Sequence, residues 1–335
     1  MSPSELLGCL YGRLKREWKT AFLSCFLLGL LIHMPVMLSD IPNHDGLDSM
    51  YFDQNMITSG RWFLTVACGI SSYYTLPWLI GILGLLYLGC TAAALCELLE
   101  IRKSWAAALC GGLLASFPAL ASTFAYVFTL DGYMLALLLA VSAVLFTKKR
   151  RLGFLPGAVC LAFSLGIYQA YLSFAMILSL FAILMLFGRA GEDGPGGGRA
   201  FREALRYLYM GVLGVALYYG ILRVLLLVQG KELADYQAID TLGAGFALED
   251  GVLGAMKGMY RDFLGFTFKG NVLFQNIFSL AACVALGGVA VLCVVFLAKT
   301  RKSWKNPVFF VIIGMAAVAL PLATNVILLI SPSVT

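Results

Sequence analysis

The residues with the clearest capacity for chemistry are concentrated in a short stretch near the start of the chain. Residues 41–62, IPNHDGLDSMYFDQNMITSGRW, contain three aspartates, a histidine and an arginine. A carboxylate is a common general base, and a neighbouring imidazole can hold or tune it. A guanidinium group binds phosphate through paired hydrogen bonds. These residue types together predict an acid–base site with an anion-binding group.

The rest of the chain is strongly apolar. Its 335 residues are 61% hydrophobic and 13% charged, with a mean hydropathy of +0.88, whereas about 25% of residues are charged in soluble domains. Continuous apolar runs of about 18 to 25 residues fit transmembrane helices and do not fit the alternating strands of membrane barrels. We therefore predict one all-α domain over 1–335, a polytopic transmembrane helical bundle. Nine segments are expected to span the membrane: 20–38, 77–98, 104–124, 130–147, 153–168, 170–188, 204–228, 274–298 and 307–330.

The basic residues are distributed asymmetrically. With the N-terminus in the cytoplasm, the segments expected inside carry 18 of the 24 lysines and arginines, as the positive-inside rule requires. This topology explains the net charge of +6 without a nucleic-acid partner. Residues 189–203 are then a glycine-rich cytoplasmic linker, and two long loops, 39–76 and 229–273, face outward. Apolar residues recur at helical spacing in 250–268, which predicts an amphipathic helix in the membrane interface, with packing against the protein as the alternative.

The nine cysteines predict neither a disulfide nor a metal site. Most of them fall inside apolar runs, and no CxxC or Cys/His ligand spacing is present. We therefore expect packing thiols and no metal ligand set.

Three carboxylates are candidates for acid–base catalysis near the outer membrane boundary. Asp45 follows the first span by only a few residues, and Asp131 begins the fourth span. Asp48 lies three residues after Asp45, so one helical turn would place both on the same face. Asp53 lies further from the span and is expected to be structural. The sequence predicts Asp45 or Asp48 as the base, with Asp131 as a supporting group.

Basic and hydrogen-bonding side chains complete the candidate site. Arg223 lies about 8 Å inside the outer end of the seventh span, at 1.5 Å per residue, where a charge requires a partner or a water-filled cavity. Arg61 supplies a second guanidinium group, and His44 supplies an imidazole beside the candidate base. The fifth and sixth spans are joined so tightly that Tyr168 and Gln169 form a hairpin tip at the outer surface. Snorkelling of Arg223 and interfacial anchoring of Tyr168 are the alternatives to substrate binding.

Three motifs resemble a family of membrane enzymes. NHDGLDSMYFDQNMITSGRW (43–62), LDGYMLALLL (130–139) and SLGIYQAYLSFA (164–175) are similar to the glucosyltransferase II family, which includes the enzymes that glucosylate bacterial O-antigen. The resemblance covers about residues 15–335. It implies a GT-C-like plan, with many transmembrane helices and an acidic residue in the first large extracytoplasmic loop.

The resemblance also implies a reaction. Such enzymes transfer a hexose, typically glucose, from a polyprenyl-phosphate sugar such as undecaprenyl-phosphate glucose to a glycan acceptor. The site faces outward from the bacterial cytoplasmic membrane, the partners are the lipid-linked sugar, the acceptor and the bilayer, and no cofactor is implied. Many relatives carry two consecutive acidic residues where this chain has His44-Asp45, with Asp48 following. Relatives usually continue through more helices, so a C-terminal truncation is expected.

Two other functions are compatible with the same inventory. A transporter or lipid-carrier flippase typically has repeated halves and charges at mid-membrane, and the sequence contains no internal repeat. A polysaccharide polymerase would use the same outer face but would elongate a glycan. Sugar transfer by the purified protein distinguishes an enzyme from a transporter.

Overall fold

The computed structural model describes residues 14–39, 56–68, 76–188, 197–234, 251–269 and 307–326, together with isolated positions elsewhere. The secondary structure of these ranges is helical, as the all-α prediction requires. A 3-10 turn, Val127–Thr129, precedes the sixth helix. The α-helices are α1 (Arg16–Leu38), α2 (Leu64–Ala67), α3 (Pro77–Leu98), α4 (Ser104–Ala115), α5 (Pro118–Ala125), α6 (Leu130–Lys149), α7 (Phe154–Ile167), α8 (Tyr171–Gly188), α9 (Gly197–Gln229), α10 (Gly251–Lys269) and α11 (Pro307–Thr324).

Several of these helices are long and apolar enough to cross a membrane. Within the described ranges four helices meet this requirement, α1, α3, α6 and α9, and five do if the pair α4–α5 counts as one span. Helices α7, α8 and α11 are apolar but shorter. These findings support a membrane protein, but nine spans remain a prediction. The predicted span 274–298 lies largely outside the described residues.

The third predicted span is broken in the middle rather than continuous. Its two parts, α4 and α5, are bent by 48° where Pro118 begins α5. Proline has no amide hydrogen and disfavours helical backbone at the preceding residue, and Phe117 is accordingly extended (φ −64°, ψ 128°). The imidazole of His33 in α1 packs at this break, with Nε2 3.0 Å from the carbonyl oxygen of Ala115. His33 is 3% exposed and therefore has a packing role.

The chain divides into two compact units. The first comprises Met1–Tyr171 and Tyr209–Ala234, and the second comprises Leu172–Leu208 and Asp235–Thr335. In the first unit α1 packs against α3 and α4, α3 packs against α6, and α6 packs against α7. In the second unit α10 packs against α11. The candidate residues that the structure describes all belong to the first unit.

The contact between α1 and α4 depends on a small residue. A Cβ atom on Gly111 would lie 2.3 Å from the carbonyl oxygen of Ala21, so the two backbones are in direct contact. Small residues permit this close approach between apolar helices.

The amphipathic helix predicted at 250–268 is present as α10. Met259 is 1% exposed, and Asn325 Nδ2, just beyond α11, donates to its carbonyl oxygen at 3.1 Å. Leu253 and Leu264 are 64% and 49% exposed. One face of α10 therefore packs on protein, and its position at a membrane interface remains a prediction.

Charged residues form an ion-pair cluster at one end of the first unit. Glu97, near the end of α3, accepts hydrogen bonds from Lys15 at 2.7 Å and from the indole of Trp18 at 2.9 Å. Arg102 and Lys149 lie 3.2 Å and 2.9 Å from the same carboxylate. The start of α1 and the ends of α3 and α6, all predicted to be cytoplasmic, therefore meet in the structure. The cytoplasmic location of this end remains a prediction.

Arg102 links this cluster to a second carboxylate. Its guanidinium group lies 3.1 Å from Glu17 and 3.2 Å from Glu97. The pKa of Arg102 is raised above its ordinary value, most strongly by the hydrogen bond to Glu17 and next by the hydrogen bond to Glu97. The Arg102 side chain is 52% exposed, so solvent weakens both ion pairs.

Candidate functional site

The segment 56–68, which belongs to the predicted first loop, packs at the end of the first unit that lies away from the ion-pair cluster. It is anchored by apolar side chains that pack with residues of α6 and α7. This buried cluster consists of Met56, Leu64, Cys68, Ala136 and Ile167. The last residues of the opening stretch are therefore held between the beginning of α6 and the end of α7.

Backbone and ring contacts fix this segment on α7. The amide of Phe63 donates to the carbonyl oxygen of Gly166 at 2.8 Å. The indole of Trp62 covers Gly166 so closely that a Cβ atom there would lie 2.6 Å from the ring. Phe163 meets both aromatic rings edge to face, with centroids 5.3 Å from Trp62 and 4.6 Å from Phe63. A side chain larger than hydrogen at position 166 would displace the segment.

Arg61 lies against Tyr168, in the short connection between α7 and α8. Its guanidinium carbon is 5.0 Å from the centre of the Tyr168 ring, within the range of a cation–π interaction. The Tyr168 ring also stacks on Tyr133 of α6 at 5.1 Å and meets Tyr171 edge to face at 6.1 Å. All four side chains are half-buried. We call Arg61, Tyr133, Tyr168 and Tyr171 the tyrosine cluster. It combines a guanidinium group, which is chemically able to bind phosphate, with phenol hydroxyls, which are able to hydrogen-bond a sugar.

The turn that precedes Arg61 is held by two polar side chains. Gln169 Nε2 donates to the carbonyl oxygen of Ser59 at 3.1 Å and to the hydroxyl of Tyr218 at 2.9 Å. The Tyr218 hydroxyl in turn donates to the carbonyl oxygen of Gly60 at 3.0 Å. Arg61, Tyr168 and Gln169, which the sequence proposed separately, are therefore brought together by these contacts.

Asp131 is the second residue of α6 and lies two residues before Tyr133. Its side chain is buried, with the residue 4% exposed, and Oδ1 accepts a hydrogen bond from the amide of Gly132 at 2.9 Å. Gly132 is packed against Cys68, because a Cβ atom on Gly132 would lie 2.2 Å from the Cys68 sulfur. Asp131 therefore lies at the helix start on which segment 56–68 packs.

Arg223 and its neighbour Leu222 point to different sides of α9. Leu222 lies next to the Gly60 turn, 3.8 Å from a Cβ atom built on Gly60. Consecutive helical residues point about 100° apart, and Arg223 is exposed. Tyr219 lies one helical turn before it, and the buried hydroxyl of Tyr219 has no hydrogen-bond partner within the described ranges.

An apolar groove of about 450 Å³ runs along α9. Gly220 lines this groove. At 100° per helical residue, the side chain of Arg223 points about 60° away from position 220 around the axis of α9, so Arg223 lies at the edge of the groove. The lining residues are Leu213, Ala216, Leu217, Gly220, Ile221, Val224 and Leu225. The groove is suited to a hydrocarbon chain with an anionic group at one side.

Four predicted residues of the loop lie outside the described residues: His44, Asp45, Asp48 and Asp53. Their roles remain predictions. In the part of the chain that the structure describes, no group of three or more His, Cys, Asp or Glu side chains is placed to hold a metal ion.

The sequence did not single out three residues that the structure adds. Tyr133 and Trp62 fall inside the motifs 130–139 and 43–62, where only their charged neighbours drew attention. Tyr218 belongs to the pair Tyr218-Tyr219 in an apolar span. Two neighbouring hydroxyl groups in such a span were the one feature of the sequence that could have indicated its role.

The family comparison covers all of these residues. A family model described as glucosyl transferase GtrII matches residues 34–334. No curated protein and no solved structure matches the chain. The match confirms the family that the three sequence motifs suggested. The chain belongs to the glucosyl transferase GtrII family.

Proposed function

We propose that this protein transfers a hexose, glucose in the first instance, from a polyprenyl-phosphate sugar to a glycan or other envelope acceptor. Membership of a glucosyl transferase family implies a sugar donor and an acceptor. The apolar helices favour a donor that resides in the bilayer. The proposed location is the bacterial cytoplasmic membrane, with the N-terminus in the cytoplasm and the site on the outer face.

The contact of Arg61 with Tyr168 is the observation on which this proposal chiefly rests. Glycosyl transfer from a lipid phosphate leaves additional negative charge on the phosphate as the sugar departs. A guanidinium group binds phosphate in a bidentate fork and stabilises that charge best where water is partly excluded. Arg61 is half-buried, and the rings of Tyr133 and Tyr171 pack against the same Tyr168 ring, so their hydroxyls are the proposed partners of the sugar.

The proposed reaction is a direct displacement assisted by a base. The acceptor oxygen forms a bond to the anomeric carbon of glucose while the bond from that carbon to the phosphate oxygen breaks. The bonding electrons leave with the polyprenyl phosphate, and the acceptor proton passes to a carboxylate. Asp45 or Asp48 is the proposed base. Asp131, held at the start of α6, supports the base electrostatically.

The groove on α9 is the proposed site for the polyprenyl chain. Its described lining is apolar and includes the small residues Ala216 and Gly220, which leave room for a hydrocarbon chain. Arg223 at its edge offers a positive charge to the anionic head of the same lipid. The occupant proposed for this groove is thus the donor lipid rather than a protein partner.

The test uses the purified full-length protein reconstituted in liposomes. Undecaprenyl-phosphate glucose with a radiolabelled sugar is supplied together with an envelope glycan fraction, and label in the glycan is counted. Arg61→Ala should reduce transfer at least tenfold. The matched control is Arg199→Ala, because Arg199 is an exposed arginine paired only at the surface with Glu203. Movement of intact donor across the vesicle without transfer of glucose would instead identify a lipid transporter.

A further inference from the structure

Three successive backbone carbonyls before Arg61 each accept a hydrogen bond from a different element. The carbonyl of Thr58 accepts from the amide of Ala234 at 3.0 Å. The next carbonyl, of Ser59, accepts from Gln169 Nε2 at 3.1 Å, and the carbonyl of Gly60 accepts from the Tyr218 hydroxyl at 3.0 Å. The turn is therefore held from outside at three consecutive peptide groups.

The same turn is closed by its own backbone. The amide of Gly60 donates to the carbonyl oxygen of Ile57 at 3.0 Å, and the amide of Arg61 donates to that of Met56 at 2.6 Å. These internal bonds define the shape of the turn. The external bonds define where it sits on the bundle.

The polar groups that hold the turn are deeply buried. Tyr218 is 1% exposed, Gln169 is 5% exposed and Ser59 is 7% exposed. The Gln169 amide nitrogen uses both of its hydrogens, one on Ser59 and one on the Tyr218 hydroxyl. Buried hydrogen bonds that are all satisfied fix the distances and angles between the groups they join. Apolar side chains of similar volume would fill the same space without fixing the position of the turn.

Gly60 shows how tightly the network fits the chain. Its φ is +77°, in the left-handed region, which favours glycine. A Cβ atom there would lie 2.6 Å from both Gln169 Nε2 and the Tyr218 hydroxyl. The network therefore contacts the backbone directly at the residue before Arg61.

We infer that Tyr218 and Gln169 are positioning residues that hold Arg61 over Tyr168 for binding of the donor phosphate. This inference rests on the proposed function, in which Arg61 binds that phosphate. Neither residue is assigned to contact the reacting atoms in this scheme. Their bonds to the turn place the Arg61 backbone, and its side chain then reaches the Tyr168 ring at 5.0 Å.

The test is a double-mutant cycle on donor affinity, which needs no acceptor. Wild type, Tyr218→Phe, Arg61→Ala and the double variant are purified as full chains and titrated with undecaprenyl-phosphate glucose in detergent. Tyr218→Phe removes only the hydroxyl and should weaken binding about tenfold, equivalent to about 1.4 kcal/mol. In the Arg61→Ala background the same change should have no further effect, because the group being positioned is gone.

Control variants separate positioning from stability. Tyr207→Phe is the same substitution at another buried tyrosine, 8% exposed, earlier in α9, and should leave donor affinity unchanged. Gln169→Met keeps the side-chain length but loses both donors, and it replaces Tyr218→Phe in the cycle if that variant does not fold. Thermal unfolding of each variant, measured in the same detergent, identifies losses due to instability.

The outcomes distinguish the two proposals. If Arg61→Ala binds the donor as wild type does, the phosphate role of Arg61 and positioning through it are both wrong. If Arg61→Ala weakens binding but Tyr218→Phe does not, only the positioning is wrong. An effect of Tyr218→Phe that persists at full size in the Arg61→Ala background likewise contradicts positioning through Arg61.

Discussion

The guanidinium carbon of Arg61 lies 5.0 Å from the centre of the Tyr168 ring, so a residue of the first loop meets the short connection between α7 and α8. The two residues are more than one hundred positions apart in the chain. Their contact joins the charged end of the opening stretch to the hydroxyl-rich motif that follows α7. In the proposed function, the phosphate and the sugar of the donor bind side by side at this contact.

Replacing this guanidinium by an amine tests its shape as well as its charge. Arg61→Lys keeps the charge but loses the bidentate fork and the guanidinium contact with the Tyr168 ring. We expect affinity for undecaprenyl-phosphate glucose to fall about tenfold. Titration of the purified protein measures this, with the exposed Arg199→Lys as control. If Arg61→Lys and Arg199→Lys bind the donor equally well, Arg61 acts through its positive charge alone.

The candidate base is tested by neutralising each carboxylate of the loop in turn. Asp45→Asn or Asp48→Asn should lower turnover by roughly 10²–10⁴-fold, since an amide cannot accept the acceptor's proton. Asp53→Asn should remain near wild type. The assay is glucose transfer at matched protein levels, with donor affinity measured in parallel. Near-normal turnover of both Asp45→Asn and Asp48→Asn would place the base elsewhere.

Asp131 is expected to contribute less, because its role is to support the base. Asp131→Asn should reduce turnover about tenfold, a loss of about 1.4 kcal/mol of transition-state stabilisation. Its amide oxygen still accepts the bond from Gly132, so thermal stability should change little. If Asp131→Asn lowers turnover as much as is expected for replacing the base, Asp131 becomes the better candidate for the base.

The ion-pair cluster predicts a stability effect separate from activity. Glu97→Gln removes the charge that partners Lys15, Arg102 and Lys149. The Glu97 side chain is 9% exposed but the cations are about half exposed, so we expect a loss of about 1–3 kcal/mol. Thermal unfolding in detergent measures it. Glu203→Gln, in an exposed pair, should cost less than about 0.5 kcal/mol.

The α1–α4 contact gives a prediction about packing. Gly111→Ala places a methyl group 2.3 Å from the Ala21 carbonyl oxygen, so the helices must separate, and we expect destabilisation of about 1–3 kcal/mol. Gly211→Ala is the matched control, since no other described segment comes within 4 Å of its Cβ position and alanine favours a helix. Equal unfolding temperatures for the two variants would show that α1 and α4 are not in tight contact.

The length and boundaries of several helices follow from the sequence alone. The span predicted at 77–98 coincides with α3, Pro77–Leu98, because a proline is favoured at a helix start and about 20 apolar residues are required to cross a bilayer. The break between two helices at Tyr168 and Gln169 was also predicted, since two apolar runs meet there. The bend at Pro118 was missed, although the proline is visible, because continuous hydropathy does not report a break in backbone geometry.

Only the tertiary structure decided which polar groups face one another. The sequence proposed Arg223 as the phosphate ligand and Arg61 as a second candidate, but it is Leu222 that lies next to the Gly60 turn, and Arg223 is exposed. It also offered no partner for Gln169, which the fold supplies as Tyr218. Composition and periodicity determine that a segment is helical and apolar. The direction of each side chain depends on how the helix is rotated against its neighbours, and that rotation is set by long-range packing.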